Sequence, residues 1–266
     1  MDPFTERTPR VVSAGKLLRG AERRKAGRFL AEGENSVLEA LASATVHEVF
    51  YTESAGGRYQ ELIGTARRAG IAASLVTERA IRSMSDTVTP PGVVAVCDLL
   101  DVPLERALSS GVRLLAVPVA IAEPGNAGTV IRVADAVGAD AAILAGDSVD
   151  PHNGKCVRSS AGSLFHLPIV RERDTDAVLD ALTGSGIQIF ATAADGEVSL
   201  DEADDLLAAP TAWLFGNEAH GLDAAVAARA DHRVRIPIRG RAESFNLATA
   251  ASICLYASAR VQHRRS

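Results

Sequence analysis

The sequence has 266 residues, of which 47% are hydrophobic and 23% are charged, and its formal net charge is −5. This composition is that of a globular protein with a sizeable core, and the negative charge disfavours a protein that is basic over its whole surface. No apolar run reaches the ~18–20 residues of a membrane helix, and the first residues lack the apolar core of a signal peptide. The three cysteines, Cys97, Cys156 and Cys254, follow no disulfide or metal-ligand pattern. We therefore expect a cytoplasmic protein with no metal site and no membrane contact.

The first predicted domain is a small α/β domain over residues 13–100. Residues 1–12 are rich in prolines and charges that resist packing, so we expect a flexible tail there. Helical and strand patterns alternate after it. The predicted elements are a basic helix Lys16–Lys25, strand Arg28–Ala31, helix Ser36–Ala42, strand Val46–Tyr51, helix Tyr59–Ala69, strand Ile71–Val76, helix Ala80–Met84 and strand Gly92–Cys97.

Residues 101–110 are predicted to link this domain to a second one over residues 111–266. The second domain alternates more clearly between strands and helices, which implies a parallel sheet covered on both faces. Ligands bind such sheets beyond the carboxyl ends of the strands. Its predicted strands are Arg113–Ala120, Ala141–Leu144, Leu167–Val170, Ile187–Thr192, Thr211–Phe215 and Arg233–Ile236, and its predicted helices include Gly154–Phe165, Asp176–Leu182, Asp223–Ala230 and Ala248–Ala259.

A basic stretch lies near the start of the first domain. It carries Arg19, Arg23, Arg24, Lys25 and Arg28 within ten residues. Such a stretch can bind the phosphates of a nucleic acid, or it can be the solvated face of a basic helix.

Three strand ends of the second domain carry unusual loops. The first, IAEPGNAGTVIRVADAVGA, turns at Pro124-Gly125, and we expect Asn126 to cap the following helix. Arg132 lies on that helix among apolar residues, and a buried arginine needs an anionic partner. The pattern fits a salt bridge to a nearby carboxylate, and it also fits an arginine directed at a phosphate or a reacting hydroxyl.

The second loop, WLFGNEAHGL, follows an apolar strand and has Gly216 and Gly221 on either side of Glu218. Glycine at a strand end lets the backbone approach a ligand closely. Glu218 is either a ligand contact or an acceptor for amides of the loop. His220 is either a catalytic base or a solvated side chain, and a lone loop histidine is more often solvated.

The third loop precedes the last helix, where Phe245 separates two good N-terminal cap types, Ser244 and Asn246. The helix after it has very small side chains, so its backbone must pack closely against another element. It is either an ordinary capped helix or the start of a helix that binds a ligand or a second subunit.

Together the three loops resemble the motifs of the SpoU (TrmH-type) family of RNA ribose 2′-O-methyltransferases. The family patterns are N-x-G-x(3)-R, then G-x-E-x(2)-G, then S-x-N before an Ala/Ser-rich helix. The matching residues are Asn126, Gly128, Arg132, Gly216, Glu218, Gly221, Ser244 and Asn246. The FLAEGENSVLEAL stretch resembles the substrate-binding domain often fused ahead of the family's catalytic domain, and the whole chain is similar to the thiostrepton-resistance and 23S ribosomal RNA branches. Phe245 stands where the family commonly has leucine.

The resemblance implies a fold that local patterns do not give. It is an α/β fold with a small L30e-like substrate-binding domain, followed by a SPOUT parallel sheet with a trefoil knot. The knot binds S-adenosylmethionine largely through backbone groups, and the knotted domain forms a homodimer. The cofactor-binding residues that the resemblance implies are Leu214, Gly216, Gly221, Ile236, Phe245 and Leu247.

The implied activity is methylation of a ribose 2′-hydroxyl in structured RNA, with 23S ribosomal RNA favoured over transfer RNA. The implied catalytic group is Arg132, Asn126, Glu218, Ser244 and Asn246, and the first domain would bind the RNA. A non-catalytic RNA-binding protein that has kept the fold is the competing class, and the intact motifs argue against it. A nucleotide-dependent oxidoreductase is disfavoured because no G-x-G-x-x-G follows the first strand.

Overall fold

The computed structural model describes residues 2–264. The helices are α1 (Pro9–Lys16), α2 (Gly20–Ala26), α3 (Glu34–Ser43), α4 (Glu53–Arg58), α5 (Gln60–Arg68), α6 (Glu78–Arg82), α7 (Leu104–Ala107), α8 (Pro124–Ala136), α9 (Gly154–Ser160), α10 (Thr175–Gly184), α11 (Asp204–Leu207), α12 (Ala224–Ala227) and α13 (Leu247–Arg264). The strands are β1 (Arg28–Glu32), β2 (Val46–Tyr51), β3 (Ala72–Leu75), β4 (Val93–Asp98), β5 (Leu114–Pro118), β6 (Ala141–Ala145), β7 (Ile169–Glu172), β8 (Gln188–Thr192), β9 (Val198–Ser199), β10 (Thr211–Phe215) and β11 (His232–Arg235).

The chain forms two compact units, and each has its own sheet. The N-terminal unit comprises residues 2–100 and 150–166, and the C-terminal unit comprises residues 101–149 and 167–264. The sheet of the N-terminal unit has the strand order β1-β4-β2-β3. Strand β4 is antiparallel to both β1 and β2, whereas β2 and β3 are parallel. No helix in either unit, as far as the structure describes them, is long and apolar enough to cross a membrane.

Residues 2–12 pack against the N-terminal unit, so the predicted flexible tail is wrong for this segment. Phe4 forms a parallel bridge with Val76 at the sheet edge, and its backbone N–H donates to the Leu75 carbonyl at 2.8 Å. Val11 is fully buried. Pro9 opens α1, where its missing N–H costs nothing. Two apolar side chains and a well-placed proline therefore outweigh the charges around them.

The predicted basic helix over residues 16–25 is instead two helices, α1 and α2, with a break between them. Arg19 is extended, with ψ of 129°. The carbonyls of Leu17 and Leu18, left without helical partners at this break, accept hydrogen bonds from the Arg23 guanidinium at 2.9 and 3.0 Å. Arg23, which was predicted to bind RNA, therefore stabilises the turn between α1 and α2.

Residues 150–166 belong to the N-terminal unit, although sequence analysis assigned them to the second domain. The His152 ring lies 4.7 Å from the Phe29 ring, measured between centroids. Arg158 on α9 donates to Glu32 at 2.9 Å. The buried Glu32 and Arg23 of this unit need opposite charges, and the segment supplies Arg158 and Asp150. Sequence order does not reveal which distant segment will carry those partners.

Residues 101–110, predicted to be a linker, are packed into the C-terminal unit. Asp101 bridges to Ile169, and the Val102 N–H donates to the Ile169 carbonyl at 2.9 Å. Asp101 also forms an ion pair with Arg171. The segment includes α7, whose Ala107 joins the apolar core.

The sheet of the C-terminal unit has the order β7-β6-β5-β10-β8-β11-β9. Each neighbouring pair is parallel, which confirms the predicted parallel sheet. The central strands β5, β6 and β10 are buried along their whole length, as expected when helices cover both faces. Their carboxyl ends therefore share one edge of the sheet.

The last helix, α13, is longer than predicted and packs against α8, β5 and β10. Ala248, Ala251 and Ala259 are buried in this contact. The Trp213 indole N–H donates to Ser258 Oγ at 2.8 Å, which ties α13 to β10. The small side chains noted in the sequence therefore allow close approach to the centre of the sheet.

Candidate active site

Glu218 joins the loop after β10 to the loop after β5. Its two carboxylate oxygens accept hydrogen bonds from the backbone N–H groups of Ala122 and Glu123, both at 3.0 Å. Oε1 also accepts from the Asn126 side-chain amide at 3.0 Å. Of the two roles open to Glu218 from sequence, the structure therefore has it as an acceptor for loop amides.

Asn126 extends this connection to the third loop. While its Nδ2 donates to Glu218, its Oδ1 accepts from Asn246 Nδ2 at 3.2 Å. Asn246 Oδ1 in turn accepts from the N–H groups of Ala248 and Thr249, at 2.9 and 3.3 Å, and so caps α13. One chain of side chains, Glu218–Asn126–Asn246, thus connects the three motif loops at the carboxyl edge of the sheet.

The predicted caps need two corrections. Asn126 is not the cap of α8, because Glu123 occupies that position and accepts from the Gly125 N–H at 3.3 Å. This leaves the Asn126 side chain to bind Glu218 and Asn246. Ser244 does not cap α13; it is exposed and lines a cavity beside the loop.

The pKa of the Glu218 carboxyl is lowered. Partial desolvation of the carboxylate acts to raise this pKa, but the hydrogen bond from Asn126 and those from the Ala122 and Glu123 amides outweigh it. Glu218 is therefore ionised at neutral pH and acts as an acceptor.

The loop after β10 closes on itself between two glycines. Asn217 and Gly221 exchange backbone hydrogen bonds of 2.9 and 2.8 Å. A Cβ on Gly216 would lie 2.2 Å from the backbone of Gly221 and Leu222, so no larger residue fits here. Gly221 itself has φ of +69°, which favours glycine.

Asn217 is a positioning residue that sequence analysis missed. Its Nδ2 donates to the Ala120 carbonyl at 2.8 Å, and its Oδ1 accepts from the Ala219 N–H at 2.9 Å. Ala120 has φ of +52°, so the bond holds a strained residue two positions after β5. An asparagine between a strand end and a glycine turn was the available signal.

A cavity of about 500 Å³ lies along the carboxyl ends of β8, β10 and β11. Five of the predicted cofactor-binding residues line it: Gly216, Gly221, Ile236, Phe245 and Leu247. Thr192, the last residue of β8, and the two residues after it, Ala193 and Ala194, also line the cavity and were not predicted from the sequence. Their position at the end of a strand neighbouring β10 was the signal that could have found them.

Leu214 does not line this cavity, contrary to the prediction. It lies inside β10, is fully buried and belongs to the apolar core of the unit. The next residue, Phe215, reaches the cavity instead. Successive side chains of a strand point to opposite faces, so a one-residue step separates a wall of the cavity from the core.

Arg132 is exposed, and the prediction of a buried arginine is wrong. The buried face of α8 contains Ala127, Val130, Ile131 and Ala134, and position 132 falls outside that helical stripe. A guanidinium in water needs no protein carboxylate, so the argument for a buried ion pair does not apply. The side chain remains accessible to an external anion.

Four of the five predicted RNA-binding residues are exposed on the N-terminal unit: Arg19, Arg24, Lys25 and Arg28. Arg23 is the exception, at 4% exposure. It donates to Asp150 Oδ2 from Nε at 2.8 Å and from a terminal nitrogen at 2.7 Å. Its remaining hydrogen bonds go to the backbone, so Arg23 is a structural residue of this unit.

Residues 113–256 match the model of the SpoU rRNA Methylase family. The chain belongs to the SpoU rRNA methylase family. Residues 30–103 match a second model, described as RNA 2′-O ribose methyltransferase substrate binding. As a SpoU rRNA methylase, the chain is a transferase of the RNA 2′-O-methyltransferase class, which confirms the enzyme class and the family that the motifs indicated.

Relatives of this SpoU methylase include proteins named as 23S ribosomal RNA methyltransferases. The Bacillus subtilis 23S rRNA (guanosine(2553)-2′-O)-methyltransferase RlmP is 36% identical over 242 residues, 91% of this chain and 92% of RlmP. The Streptomyces viridochromogenes 23S rRNA (uridine(2479)-2′-O)-methyltransferase is 34% identical over 264 residues, 97% of this chain and 91% of that enzyme.

Solved structures resemble the whole SpoU chain. The SpoU methyltransferase AviRb from Streptomyces viridochromogenes, in complex with AdoMet, has a TM-score of 0.86 at 31% identity and covers 97% of this chain and 100% of its own. An AdoMet-bound rRNA methyltransferase from Sinorhizobium meliloti has a TM-score of 0.84 at 30% identity and covers 97% of each chain.

Proposed function

We propose that this protein transfers the methyl group of S-adenosylmethionine to a ribose 2′-hydroxyl of 23S ribosomal RNA. The observation that carries the proposal is the hydrogen-bonded chain Glu218–Asn126–Asn246, which joins the three motif loops beside a cavity of about 500 Å³. Two relatives that span nearly the whole chain are named as 23S rRNA 2′-O-methyltransferases. Their names support ribosomal RNA as the substrate class.

The cavity suits S-adenosylmethionine in its chemistry. Ile236, Phe245 and Leu247 offer apolar surface to an adenine ring, and Gly216 contributes backbone to the lining of the cavity. When bound, the cofactor supplies an electrophilic methyl group on a positively charged sulfonium. The residues named here would hold the cofactor, and Phe245 would replace the leucine common in the family with an aromatic wall.

Glu218, Asn126 and Asn246 act as positioning residues in this proposal. The ionised Glu218 fixes the loop after β5 against the loop after β10, and Asn126 fixes the start of α13. Holding reactants in one geometry can remove several kcal/mol from a barrier. Ser244, exposed at the cavity, offers a hydroxyl that can donate or accept a hydrogen bond at its edge.

Arg132 is proposed to bind a phosphate of the RNA and to stabilise negative charge on the attacking oxygen. A guanidinium stays protonated in proteins, so it is poorly suited to act as a base, whereas fixed positive charge near a developing oxyanion lowers a barrier strongly. The exposure of Arg132 supports this role, because the RNA must reach it from solvent.

The N-terminal unit is proposed to bind the RNA, with Arg19, Arg24, Lys25 and Arg28 contacting phosphates. These side chains are exposed on α2 and on the residues that flank it. Neutralising phosphates makes binding fall with rising salt concentration. The match of residues 30–103 to a substrate-binding model supports RNA binding by this unit.

We also propose a homodimer through the C-terminal unit, and a trefoil knot formed by its last segments. Tyr256 on α13 is 65% exposed, and together with Ile253 and Ala257 it lines an open groove. An exposed aromatic beside apolar side chains offers a surface that a second copy can cover. The match of residues 113–256 to the SpoU rRNA Methylase model supports the knot, which is the fold that the motif resemblance implies.

The experiment that tests the function is methylation of an unmodified 23S rRNA transcript with tritiated S-adenosylmethionine, followed by mapping of 2′-O-methyl positions. We expect one methylated ribose with the wild-type protein. Arg132→Ala should lower the transfer rate at least about 100-fold, as for loss of a group that stabilises transition-state charge, while cofactor affinity measured by calorimetry stays within twofold. Wild-type turnover by Arg132→Ala contradicts the assigned role, and no methylation by the wild-type protein contradicts the function.

A further inference from the structure

The N-terminal unit contains a cavity outside the candidate active site. It measures about 420 Å³ and lies between α1 and strands β1, β2 and β4. This volume is in the range of roughly 300–1,000 Å³ seen for small-molecule pockets. The proposed function assigns no role to it.

The inner wall of this cavity is apolar. Leu17, Phe50 and Val96 contribute to it, and all three side chains are nearly buried. Ala14 and Ala26 line it as well, and their small side chains keep the space open. A flat apolar group of nucleobase size can therefore lose its contact with water here.

The rim of the cavity carries a fixed guanidinium. Arg10 is paired with Glu48 through its Nε at 3.0 Å and a terminal nitrogen at 2.7 Å. The same guanidinium lies 5.4 Å from the centroid of the Phe4 ring. The Arg10 side chain is nevertheless 50% exposed. It is thus a positioned planar cation, a group on which bases stack.

Polar groups that can read a base edge also line the cavity, among them His47, Glu48 and Arg28. His47 is hydrogen-bonded to Asp98 at 2.5 Å. Arg28 is 46% exposed, and its Nε is 3.8 Å from the same carboxylate. The Glu48 carboxylate also accepts from Ser74 at 2.6 Å. The cavity therefore combines an apolar floor with several fixed donors and acceptors.

Charge complementarity selects RNA as the occupant. Exposed Arg19, Arg24 and Lys25 precede Ala26 and Arg28, the α2 and β1 residues that line the cavity. With Arg23 neutralised by Asp150, this exposed stretch keeps an excess of positive charge. A polyanion with an exposed flat base fits both the charge outside the cavity and the apolar wall inside it.

We propose that this cavity binds one unstacked nucleobase of the RNA substrate, with an adjacent phosphate on Arg28. The inference rests on the proposed function and names the part of the N-terminal unit that recognises the RNA. Sequence-specific RNA recognition generally targets unstacked bases, which stack on aromatic or arginine planes and are hydrogen-bonded along their edges. The cavity supplies the arginine plane through Arg10 and the edge contacts through His47 and Glu48.

A tryptophan at a cavity-lining position fills the cavity without changing the charge of the protein. Ser13 is exposed and lines the cavity, so Ser13→Trp puts an indole into it. Val12 is 43% exposed on the same helix and is not among the lining residues, so Val12→Trp is the matched control. Filter binding to an unmodified 23S rRNA transcript should be weakened roughly tenfold or more by Ser13→Trp, since one stacked base has about that effect. Val12→Trp should bind within twofold of wild type.

Salt dependence separates a base contact from a phosphate contact. Arg28→Gln should reduce the slope of log K against log[KCl] by about one. Ser13→Trp should leave that slope unchanged while it lowers affinity and raises the KM for RNA, with kcat and cofactor affinity as in wild type. A reduced slope in Ser13→Trp overturns the inference in favour of a phosphate site.

Two further outcomes distinguish a failure of base binding in the cavity from a failure of the proposed methyl transfer. If the wild-type protein methylates the transcript and Ser13→Trp matches Val12→Trp in affinity and KM, the inference alone is wrong. If the wild-type protein does not methylate the transcript, the proposed function is wrong. Ultraviolet cross-linking of the wild-type complex provides a measurement without mutation: a nucleotide adduct is expected on the peptide containing His47, and its absence overturns the inference.

Discussion

Single side chains at the carboxyl edge of the larger sheet hold together loops that are distant in sequence. Glu218 is separated from Ala122 by 96 positions and Asn246 from Asn126 by 120. Since the folded-state pKa of Glu218 is lowered, its contribution to stability is present above its unfolded-state pKa and is lost as the pH falls through its folded-state pKa. The loop arrangement is therefore intact at neutral pH.

Two neighbouring arginines, Arg23 and Arg24, have different roles, because the first is buried and the second is exposed. Arg23→Ala removes one partner of a buried ion pair with Asp150 and leaves two carbonyls without donors, so we expect a loss of roughly 3–5 kcal/mol of stability. Arg24→Ala, at an exposed neighbouring position, should change stability by less than about 0.5 kcal/mol. Urea unfolding followed by circular dichroism measures both. Equal stability of the two variants contradicts the structural role of Arg23.

At the scale of elements, the closed turn after β10 sets the shape of the cofactor cavity. The turn depends on the close backbone contact between Gly216 and Gly221. It also depends on the two backbone hydrogen bonds that Asn217 and Gly221 exchange. Strand β10 ends directly before it, so any shift of the turn moves the cavity wall. The turn therefore tolerates few changes, although it is largely solvent-exposed.

Gly216→Ala tests this contact. The added Cβ would lie 2.2 Å from the backbone of Gly221, so the turn must move, and we expect S-adenosylmethionine affinity to fall at least about tenfold, or 1.4 kcal/mol. Gly240→Ala is the control, because a Cβ there meets nothing within 4 Å. Isothermal titration calorimetry compares the two. An unchanged affinity in Gly216→Ala would mean that the cofactor does not depend on this turn.

At the scale of the whole molecule, the exposed face of α13 is the proposed contact between two copies. Its groove is lined by Tyr256, Ile253 and Ala257, with Arg260 at one side. Arg260 is already paired with Asp204 of the same chain at 2.5 Å. Neutralised charge and exposed apolar surface together favour self-association.

Tyr256→Asp should convert the protein to a monomer. A buried carboxylate without a partner is costly at an interface. Light scattering after gel filtration should give twice the chain mass of 27.8 kDa for wild type and the single mass for the variant. Val88→Asp is the control, since Val88 is fully exposed on the N-terminal unit. A wild-type monomer, or a dimer that persists in Tyr256→Asp, would exclude this interface.

The sequence by itself determined the parallel sheet, the order of most strands along the chain and the three motif loops. Continuous apolar strands and glycine-bounded turns are local features of the sequence. The structure contains them as predicted, at β5, at β10 and at Gly216–Gly221. The resemblance to the SpoU family was also readable from the sequence, because each of the three motifs spans only a few residues.

Only the tertiary structure decided which residues meet. Arg132 lies outside the buried stripe of α8, Leu214 is in the core, and Arg23 binds Asp150 from 127 positions away. Residues 2–12 and 150–166 are packed into the N-terminal unit because buried apolar and charged groups there need partners. Burial and charge pairing depend on distant contacts, so neither composition nor local periodicity could reveal them.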